Sequence, residues 1–232
     1  MYVPLEFYQF IAQNKSIFRV LYSVIIAFIC LIIVLKTDKL FRISSHQGIR
    51  YFRNAFFFYG IAFLLRALLI SPIYSSLTKM AFEFFMIMAG FFLFYSLLWK
   101  RLETKKDTSS LLNPKIIMLY ALTLILIVLD YLWGGYNFMF ISQIILFLLA
   151  SVISYNNYQT KGKEHKFLKL YFGVMVLNFV AWLANFIFAN FLGGRLRWLA
   201  NIYILNVIIF LIFLYGVNKF TKKKKVIDKE DK

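Results

Sequence analysis

Seven long apolar stretches constrain this chain more than any other feature of its sequence. A helix needs roughly 20 residues to cross a hydrocarbon core about 30 Å thick, and each stretch is near that length. Hydrophobic residues make up 62% of the chain and charged residues only 16%, against about 45–50% and 25% in soluble domains. The sequence therefore predicts an all-α membrane protein. The stretches are residues 17–35, 51–70, 80–99, 116–133, 136–155, 168–190 and 198–217.

The boundary between the fourth and fifth stretches is the weakest of the six. Only Gly134, Gly135, Tyr136 and Asn137 interrupt the apolar sequence there. Glycine and asparagine tolerate the positive φ angles of tight turns, which favours a turn over one very long helix. Seven transmembrane helices are therefore predicted, with six as the alternative.

The connections between the apolar stretches are alternately rich and poor in lysine and arginine. Of the 27 basic residues, 21 lie near residues 36–53, 100–115 and 161–169 or in the tail after residue 218. All four regions fall on one side of a seven-helix bundle. Because basic residues resist translocation, this side is predicted to be cytoplasmic. We expect a multi-pass protein of the cell membrane with its N-terminus outside and its C-terminus in the cytoplasm.

The chain divides into three predicted regions. Residues 1–16 form an amphipathic segment in the outer interface, residues 17–218 form the seven-helix transmembrane bundle, and residues 219–232 form a cytoplasmic polybasic tail with an irregular end. The connection over residues 36–54 mixes apolar and basic residues, so we expect it to lie along the inner membrane surface.

The polybasic tail predicts contact with the lipid bilayer. We expect anionic headgroups on the cytoplasmic face to bind Lys222, Lys223, Lys224 and Lys225, since each such residue near the surface contributes about 1 kcal/mol. Docking of a membrane or cytosolic protein partner is the alternative. The basic residues behind the net charge of +17 are explained by their roles in membrane orientation and in contact with anionic headgroups. Nucleic acid is therefore not an expected partner.

The residue types that common chemistries require are scarce. Cys30 is the single cysteine, and the two histidines, His46 and His165, fall in predicted loops, which leaves no usual zinc or haem site. No lysine that could hold retinal occurs within residues 198–217, and no Gly-rich loop is followed by the lysine of a phosphate site. We expect no metal and no cofactor, and the sequence disfavours an enzyme.

Arg66 lies within an apolar run, where a charged side chain needs a polar partner or access to water. In the predicted topology Arg66, Glu83 and Asp130 each lie four residues from the outer end of a helix, about 6 Å deep at 1.5 Å per residue. One cation and two anions at a common depth predict a polar cluster inside the bundle. The alternative is that Arg66 extends its side chain outward to the headgroups.

Further polar residues favour the same end of the bundle. Asn178, Trp182 and Asn185 share one helical face, and Asn201 and Tyr203 begin the last stretch. Amides within a membrane also form hydrogen bonds between helices, which is the structural alternative for each of them. The candidate ligand-binding residues are Arg66, Glu83, Asp130, Asn178, Trp182, Asn185, Asn201 and Tyr203.

The polar residues predict a function for the bundle. Carriers usually bind at mid-depth between interrupted helices, whereas Pro4, Pro72 and Pro114 all lie at or beyond predicted helix ends. We therefore expect a receptor-like or sensor-like bundle with a polar pocket in its outer half, open to a small polar ligand from outside. A small-solute transporter and a structural or assembly subunit of a membrane complex are the alternatives.

Overall fold

Seven α-helices make up nearly all of the described chain, as predicted. The structure is a computed structural model, and it describes residues 14–44, 47–68, 76–102, 111, 114–160, 166–191 and 196–230. The helices are α1 Lys15–Ser44, α2 Gln47–Leu68, α3 Ser76–Leu102, α4 Pro114–Trp133, α5 Asn137–Thr160, α6 Lys166–Phe191 and α7 Leu196–Glu230.

Five of these helices are long and apolar enough to cross a bilayer, and they fit a multi-pass membrane protein. They are α1, α3, α4, α5 and α6. Helix α7 contributes the shorter apolar segment Tyr203–Lys219. Helix α2 carries Arg50, Arg53 and Asn54 near its start and Arg66 in its last turn, which lowers its hydropathy.

The first connection differs from the prediction because α1 and α2 are longer than their apolar stretches. Helix α1 continues through residues 36–44, and α2 begins at Gln47, with two residues between the two helices. Thr37 Oγ1 donates to the Ile33 carbonyl at 2.6 Å, and Arg42 Nε donates to Asp38 Oδ2 at 3.0 Å. These contacts within one helical turn accompany the continuation of the helix into polar sequence. Most of residues 36–54 are therefore helical, while their position along the membrane surface stays a prediction.

The tail is also helical, since α7 continues to Glu230 instead of ending near residue 217. Residues 219–230 contain neither glycine nor proline, so the usual stop signals are missing from this part of the sequence. For Lys222–Lys225 the backbone is described, while the side chains lie outside the described residues, as do residues 1–13 of the predicted interfacial segment.

Six of the helices form a closed ring. Each helix contacts the next in sequence, α7 returns to α1, and α3 also contacts α5. The contact between α3 and α5 completes a ring in the order α1, α2, α3, α5, α6, α7. Among the described residues α4 touches only α3 and α5, so it lies outside the ring, against the seam between these two helices.

The bundle places apolar side chains outward and polar side chains inward. On α4, Thr123 and Asp130 are buried, whereas Met118, Leu124 and Ile125 are more than half exposed. Lipid, unlike water, can cover such an apolar surface, and polar groups then lie inside the bundle. The buried polar residues include Ser23, Thr37, Asn54, Glu83, Thr123, Asp130, Gln143, Ser151, Ser154 and Asn178.

Aromatic rings fill much of the centre of the ring of helices. The Phe56 ring of α2 lies 5.0 Å from the Phe213 ring and 5.9 Å from the Phe210 ring of α7, centroid to centroid. Phe52 and Tyr171 also contact Phe213, at 5.9 and 6.3 Å. Helices α2 and α7 therefore meet across the interior through side chains, and open space remains toward one end of the bundle.

A tight turn joins α4 to α5 at that same end. Gly134 has φ of +73°, a left-handed conformation that glycine adopts at little cost. The Gly134 N–H donates to the Tyr131 carbonyl at 3.3 Å, and the Gly135 N–H donates to the Asp130 carbonyl at 3.2 Å. The turn thus reverses the chain within three residues.

Candidate functional site

A cavity of about 250 Å³ lies inside the ring. It is located where α1, α3, α5 and α7 begin and where α2 and α6 end, here called the N-terminal end of the bundle. All six ring helices or their adjoining turns contribute to its wall. The lining residues are Arg19, Tyr59, Phe63, Arg66, Phe82, Met86, Tyr136, Met139, Phe140, Asn178, Trp182, Asn185, Asn206 and Phe210.

Arg66 is held in the cavity wall by two tyrosines. Its guanidinium carbon lies 5.5 Å from the ring centroid of Tyr22 and 5.5 Å from that of Tyr203. The two tyrosine rings stack on each other at 4.3 Å, and Arg66 Nη2 donates to the Tyr203 hydroxyl at 3.5 Å. Asn206 Nδ2 donates to the Tyr22 hydroxyl at 3.1 Å. Aromatic faces therefore stabilise the cation, each by about 0.5–2 kcal/mol.

Arg19 supplies a second guanidinium to the same cavity. It precedes Tyr22 by three residues, so both side chains lie on one face of α1. Its Nε is buried and has no hydrogen-bond partner among the described residues. A buried donor left unpaired costs about 1–3 kcal/mol, more for a charged group. This N–H is therefore an unused hydrogen-bond donor in a side chain that lines the cavity.

The face of α6 that the spacing predicts does line the cavity. Asn178 Nδ2 donates to the Val174 carbonyl at 2.9 Å, and Asn185 Nδ2 donates to the Ala181 carbonyl at 2.8 Å. These bonds to their own helix orient the two amides, whose remaining polar groups can bind a ligand. Trp182 lies between them in sequence and meets the Phe140 ring edge-on at 6.0 Å.

A second polar group, the hairpin cluster, consists of Lys79, Glu83 and Asp130 with the α4–α5 turn. Lys79 Nζ lies 3.8 Å from Glu83 Oε1. It donates to the Gly135 carbonyl at 3.0 Å and sits 4.6 Å from the Tyr136 ring centroid. Lys79 therefore connects α3 to the turn and provides the cation for a glutamate that is only 1% exposed.

Asp130 has a structural role in the hairpin cluster. Its Oδ1 accepts from the Phe138 backbone N–H and its Oδ2 accepts from the Met139 N–H, both at 2.8 Å. The first N–H groups of a helix have no partner within the helix, and here the carboxylate at the end of α4 satisfies two of those of α5. A negative charge is also favourable at this helix end.

The structure therefore separates the single cluster expected from Arg66, Glu83 and Asp130 into two. Among the described residues no ion pair joins Arg66 to Glu83: tyrosines surround Arg66, while Lys79 pairs with Glu83. A common depth does not specify which helical faces meet. Lys79 needs only its own helix to reach a partner one turn away.

The eight predicted site residues are distributed accordingly. Four of them line the cavity, namely Arg66, Asn178, Trp182 and Asn185. Tyr203 contacts Arg66, Glu83 and Asp130 belong to the hairpin cluster, and the Asn201 side chain lies outside the described residues.

Two polar contributors to the site, Arg19 and Tyr22, are not among the residues that the sequence predicts for it, although their spacing of three places both on one helical face. A third, Asn206, follows Asn201 and Tyr203 in the last apolar stretch, whose polar residues are expected to favour this end of the bundle. The described residues contain no group of three or more histidine, cysteine, aspartate or glutamate side chains that could hold a metal ion.

Comparison with known proteins identifies a relative of the chain. No protein-family model matches the chain, and no solved structure matches it. An uncharacterised protein of Archaeoglobus fulgidus is 30% identical over 216 residues, which cover 85% of this chain and 89% of the archaeal protein. The chain belongs to the same family as this archaeal protein.

Proposed function

We propose that the chain is a seven-span protein of the cell membrane that binds a small polar ligand in the cavity, from outside, as a receptor or sensor. In this proposal α2 and α7 complete the spans and the N-terminal end faces outward, because 21 of 27 basic residues lie toward the other side. The observation that supports it best is the cavity itself, which two arginines and three asparagines line at one end of the bundle.

The interior favours a sensor over a carrier. Phe52, Phe56 and Phe213 pack together beside the cavity, on the side away from the N-terminal end. A carrier must open a path on both sides of its site, usually with interrupted helices. In this bundle α2 and α6 run without a break past the cavity and these rings.

Helices α1 and α7 offer a route by which binding could be sensed at the opposite end. They meet beside the cavity through Tyr22 and Tyr203, and again far from it, where Lys36 Nζ donates to the Asn218 side chain. The 14 residues from Tyr22 to Lys36 span about 21 Å of helix. A ligand that binds one arrangement of this helix pair more tightly would shift the population toward it.

The proposal also includes the predicted lipid contact of the tail. Lys222–Lys225 follow the last apolar segment on the side that carries most of the positive charge. Replacing all four by glutamine is expected to weaken binding of the tail peptide to anionic vesicles, and salt should weaken the native contact. Vesicle binding insensitive to both changes would contradict this part of the proposal.

Ligand binding is tested by thermal-shift assays on the full chain in neutral detergent, with small anions, amines, amino acids and neutral amides. We expect stabilisation by at least one class, and loss of it in Asn185→Leu. Asn190→Leu is the matched control, because Asn190 makes the same bond to its own helix at 3.1 Å but is exposed and outside the cavity. Absence of binding in every class would favour the structural or assembly role.

A second measurement separates a sensor from a transporter. Spin labels at Lys39→Cys and Lys219→Cys, two exposed positions at the far end of α1 and α7, report their separation in a Cys30→Ser background. We expect a stabilising compound to shift the distance distribution without entering proteoliposomes. Uptake of the compound into proteoliposomes would instead identify a transporter.

A further inference from the structure

We infer that the cavity binds a small organic anion without a positive charge, whose acidic group lies at Arg19 and Arg66 and whose apolar part lies against Trp182 and Phe140. This inference deepens the proposed function and rests on it.

Charge compensation distinguishes the cavity from the hairpin cluster. The two acidic residues near this end of the described bundle already have partners, Glu83 in Lys79 and Asp130 in two backbone N–H groups. No carboxylate is among the described residues that line the cavity, whereas two guanidiniums are. The cavity is thus a cationic site inside an apolar bundle, where an anion is the missing partner.

The two arginines retain hydrogen-bonding capacity toward a ligand. Tyr22 and Tyr203 contact Arg66 as aromatic partners and use only one long hydrogen bond, at 3.5 Å. A guanidinium has five N–H donors in a planar fork that matches a carboxylate or phosphate. Arg19 Nε adds a buried donor with no partner among the described residues.

In this inference Arg19 and Arg66 bind one acidic group, since both line the same cavity. Tyr22 lies one turn after Arg19 on α1, and its ring centroid lies 5.5 Å from the Arg66 guanidinium carbon. They form a cationic wall from α1 and α2. Asn178, Trp182 and Asn185 on α6, together with Phe140 on α5, form an amide and aromatic wall.

The second wall and the volume restrict the rest of the ligand. Trp182 and Phe140 offer apolar surface, and Asn178 and Asn185 can recognise a hydroxyl, keto or amide substituent. A volume of about 250 Å³ lies just below the ~300–1,000 Å³ of sites for drug-sized molecules, so the ligand is of metabolite size. An amino acid would leave its ammonium group without a carboxylate partner among the described lining residues.

A matched set of aromatic compounds tests the charge requirement. Binding of benzoate, benzamide and benzylamine to the full chain in neutral detergent compares an anion, a neutral amide and a cation on the same ring. We expect benzoate to bind at least about tenfold more tightly than the other two, since hydrogen bonds between charged groups are the strong ones. Phenylpyruvate should likewise bind more tightly than phenylalanine.

Arginine variants test the position of the acidic group. Arg66→Gln and Arg19→Gln are each expected to weaken benzoate binding about tenfold or more while leaving benzamide little changed. Arg66→Lys keeps the charge but not the planar fork, so a several-fold loss is expected even where Arg66→Gln does not fold. Arg42→Gln, at an exposed arginine of the opposite end, should leave binding unchanged.

Two further arms identify the acidic group and its source. Inorganic phosphate and phenylphosphate test phosphate against carboxylate. Nanodiscs of phosphatidylcholine, with and without phosphatidylglycerol, test a lipid headgroup. Stabilisation that depends on Arg66 in any of these experiments supports an anion site. The compound or lipid that produces it identifies the acidic group and whether it comes from a free ligand or a lipid headgroup.

The outcomes separate this inference from the proposed function. Tighter binding of benzamide or benzylamine, lost in Asn185→Leu, would overturn the anion inference and leave a ligand-binding cavity in place. Benzoate binding that survives the combined Arg19→Gln and Arg66→Gln changes would also overturn it. If compounds of every charge fail to bind, both the inference and the proposed function are wrong.

Discussion

At the scale of single residues, Arg66 shows how an apolar bundle can hold a cation that has no carboxylate partner among the described residues. The stacked rings of Tyr22 and Tyr203 present their π electrons to the guanidinium, and the tyrosine hydroxyls keep polar contacts with Arg66 and Asn206. The arrangement stabilises the guanidinium without neutralising its charge, and it uses one long hydrogen bond, from Nη2. A salt bridge would have occupied the edge of the guanidinium.

This arrangement predicts that the Tyr203 ring matters more than its hydroxyl. Tyr203→Phe keeps the ring and loses a long hydrogen bond, so we expect a loss of less than about 1 kcal/mol in unfolding free energy. Tyr203→Leu removes the stacked ring and should cost about 1–3 kcal/mol. Stability is measured by denaturant titration in detergent. In an Arg66→Met background the difference in unfolding free energy between Tyr203→Phe and Tyr203→Leu should become smaller. An unchanged difference would contradict the cation–π contact.

The pair of Lys79 and Glu83 predicts a larger effect from one-sided removal. Lys79→Met leaves a glutamate that is 1% exposed without its cation, which is expected to cost about 3–5 kcal/mol. The double change with Glu83→Gln should recover much of this loss. Arg42→Met is the matched control, because Arg42 is 80% exposed in its pair with Asp38 and such pairs contribute about 0–1 kcal/mol. Equal losses in both single variants would exclude a buried pair.

At the scale of helices, α3 and α5 approach closely where Gly90 meets Gln143. A Cβ added at Gly90 would lie 2.5 Å from Gln143 Oε1 and 2.8 Å from its Nε2. Gln143 is fully buried, and its Nε2 donates to the Met86 carbonyl at 3.3 Å. The glutamine side chain thus occupies the space that the missing Cβ leaves, and it ties α5 to the helix that carries Met86 into the cavity wall.

Gly90→Ala is therefore expected to lower the melting temperature by displacing the Gln143 amide, at a cost of about 1–3 kcal/mol. Adding Gln143→Ala should restore stability, since it removes the clashing atoms. Gly173→Ala is the control: nothing lies within 4 Å of its added Cβ, so alanine should be neutral or stabilise the helix by up to about 1 kcal/mol. A neutral Gly90→Ala would contradict the close approach.

The helices themselves could be predicted far better than their contacts. Apolar length alone indicates each helix, and a spacing of four and three places Asn178, Trp182 and Asn185 on one face. The ends of α1 and α7 could not be predicted from hydropathy, because polar sequence without glycine or proline continues a helix beyond the apolar region. Depth placed Arg66 level with Glu83, but depth carries no information on helix rotation.

At the scale of the whole molecule, the position of α4 outside the ring explains why the cavity and the hairpin cluster are separate. Asp130 at the end of α4 caps α5, and Lys79 of α3 reaches the connecting turn. The hairpin cluster thus holds the outlying helix at the seam between α3 and α5. The ring helices surround the cavity together with Tyr136 of the α4–α5 turn, and no carboxylate is among the described residues that line it with Arg19 and Arg66.

The orientation of the bundle determines which compartment the cavity faces, and it can be measured directly. In a Cys30→Ser background, Ser75→Cys lies between α2 and α3, and Thr108→Cys lies between α3 and α4. Because basic residues concentrate on the side of Thr108, an impermeant maleimide should label Ser75→Cys in intact cells and Thr108→Cys only after permeabilisation. The reverse pattern would direct the cavity to the cytoplasm. Equal labelling of both positions in intact cells would mean that α3 does not cross the membrane, which would contradict a topology of seven transmembrane helices.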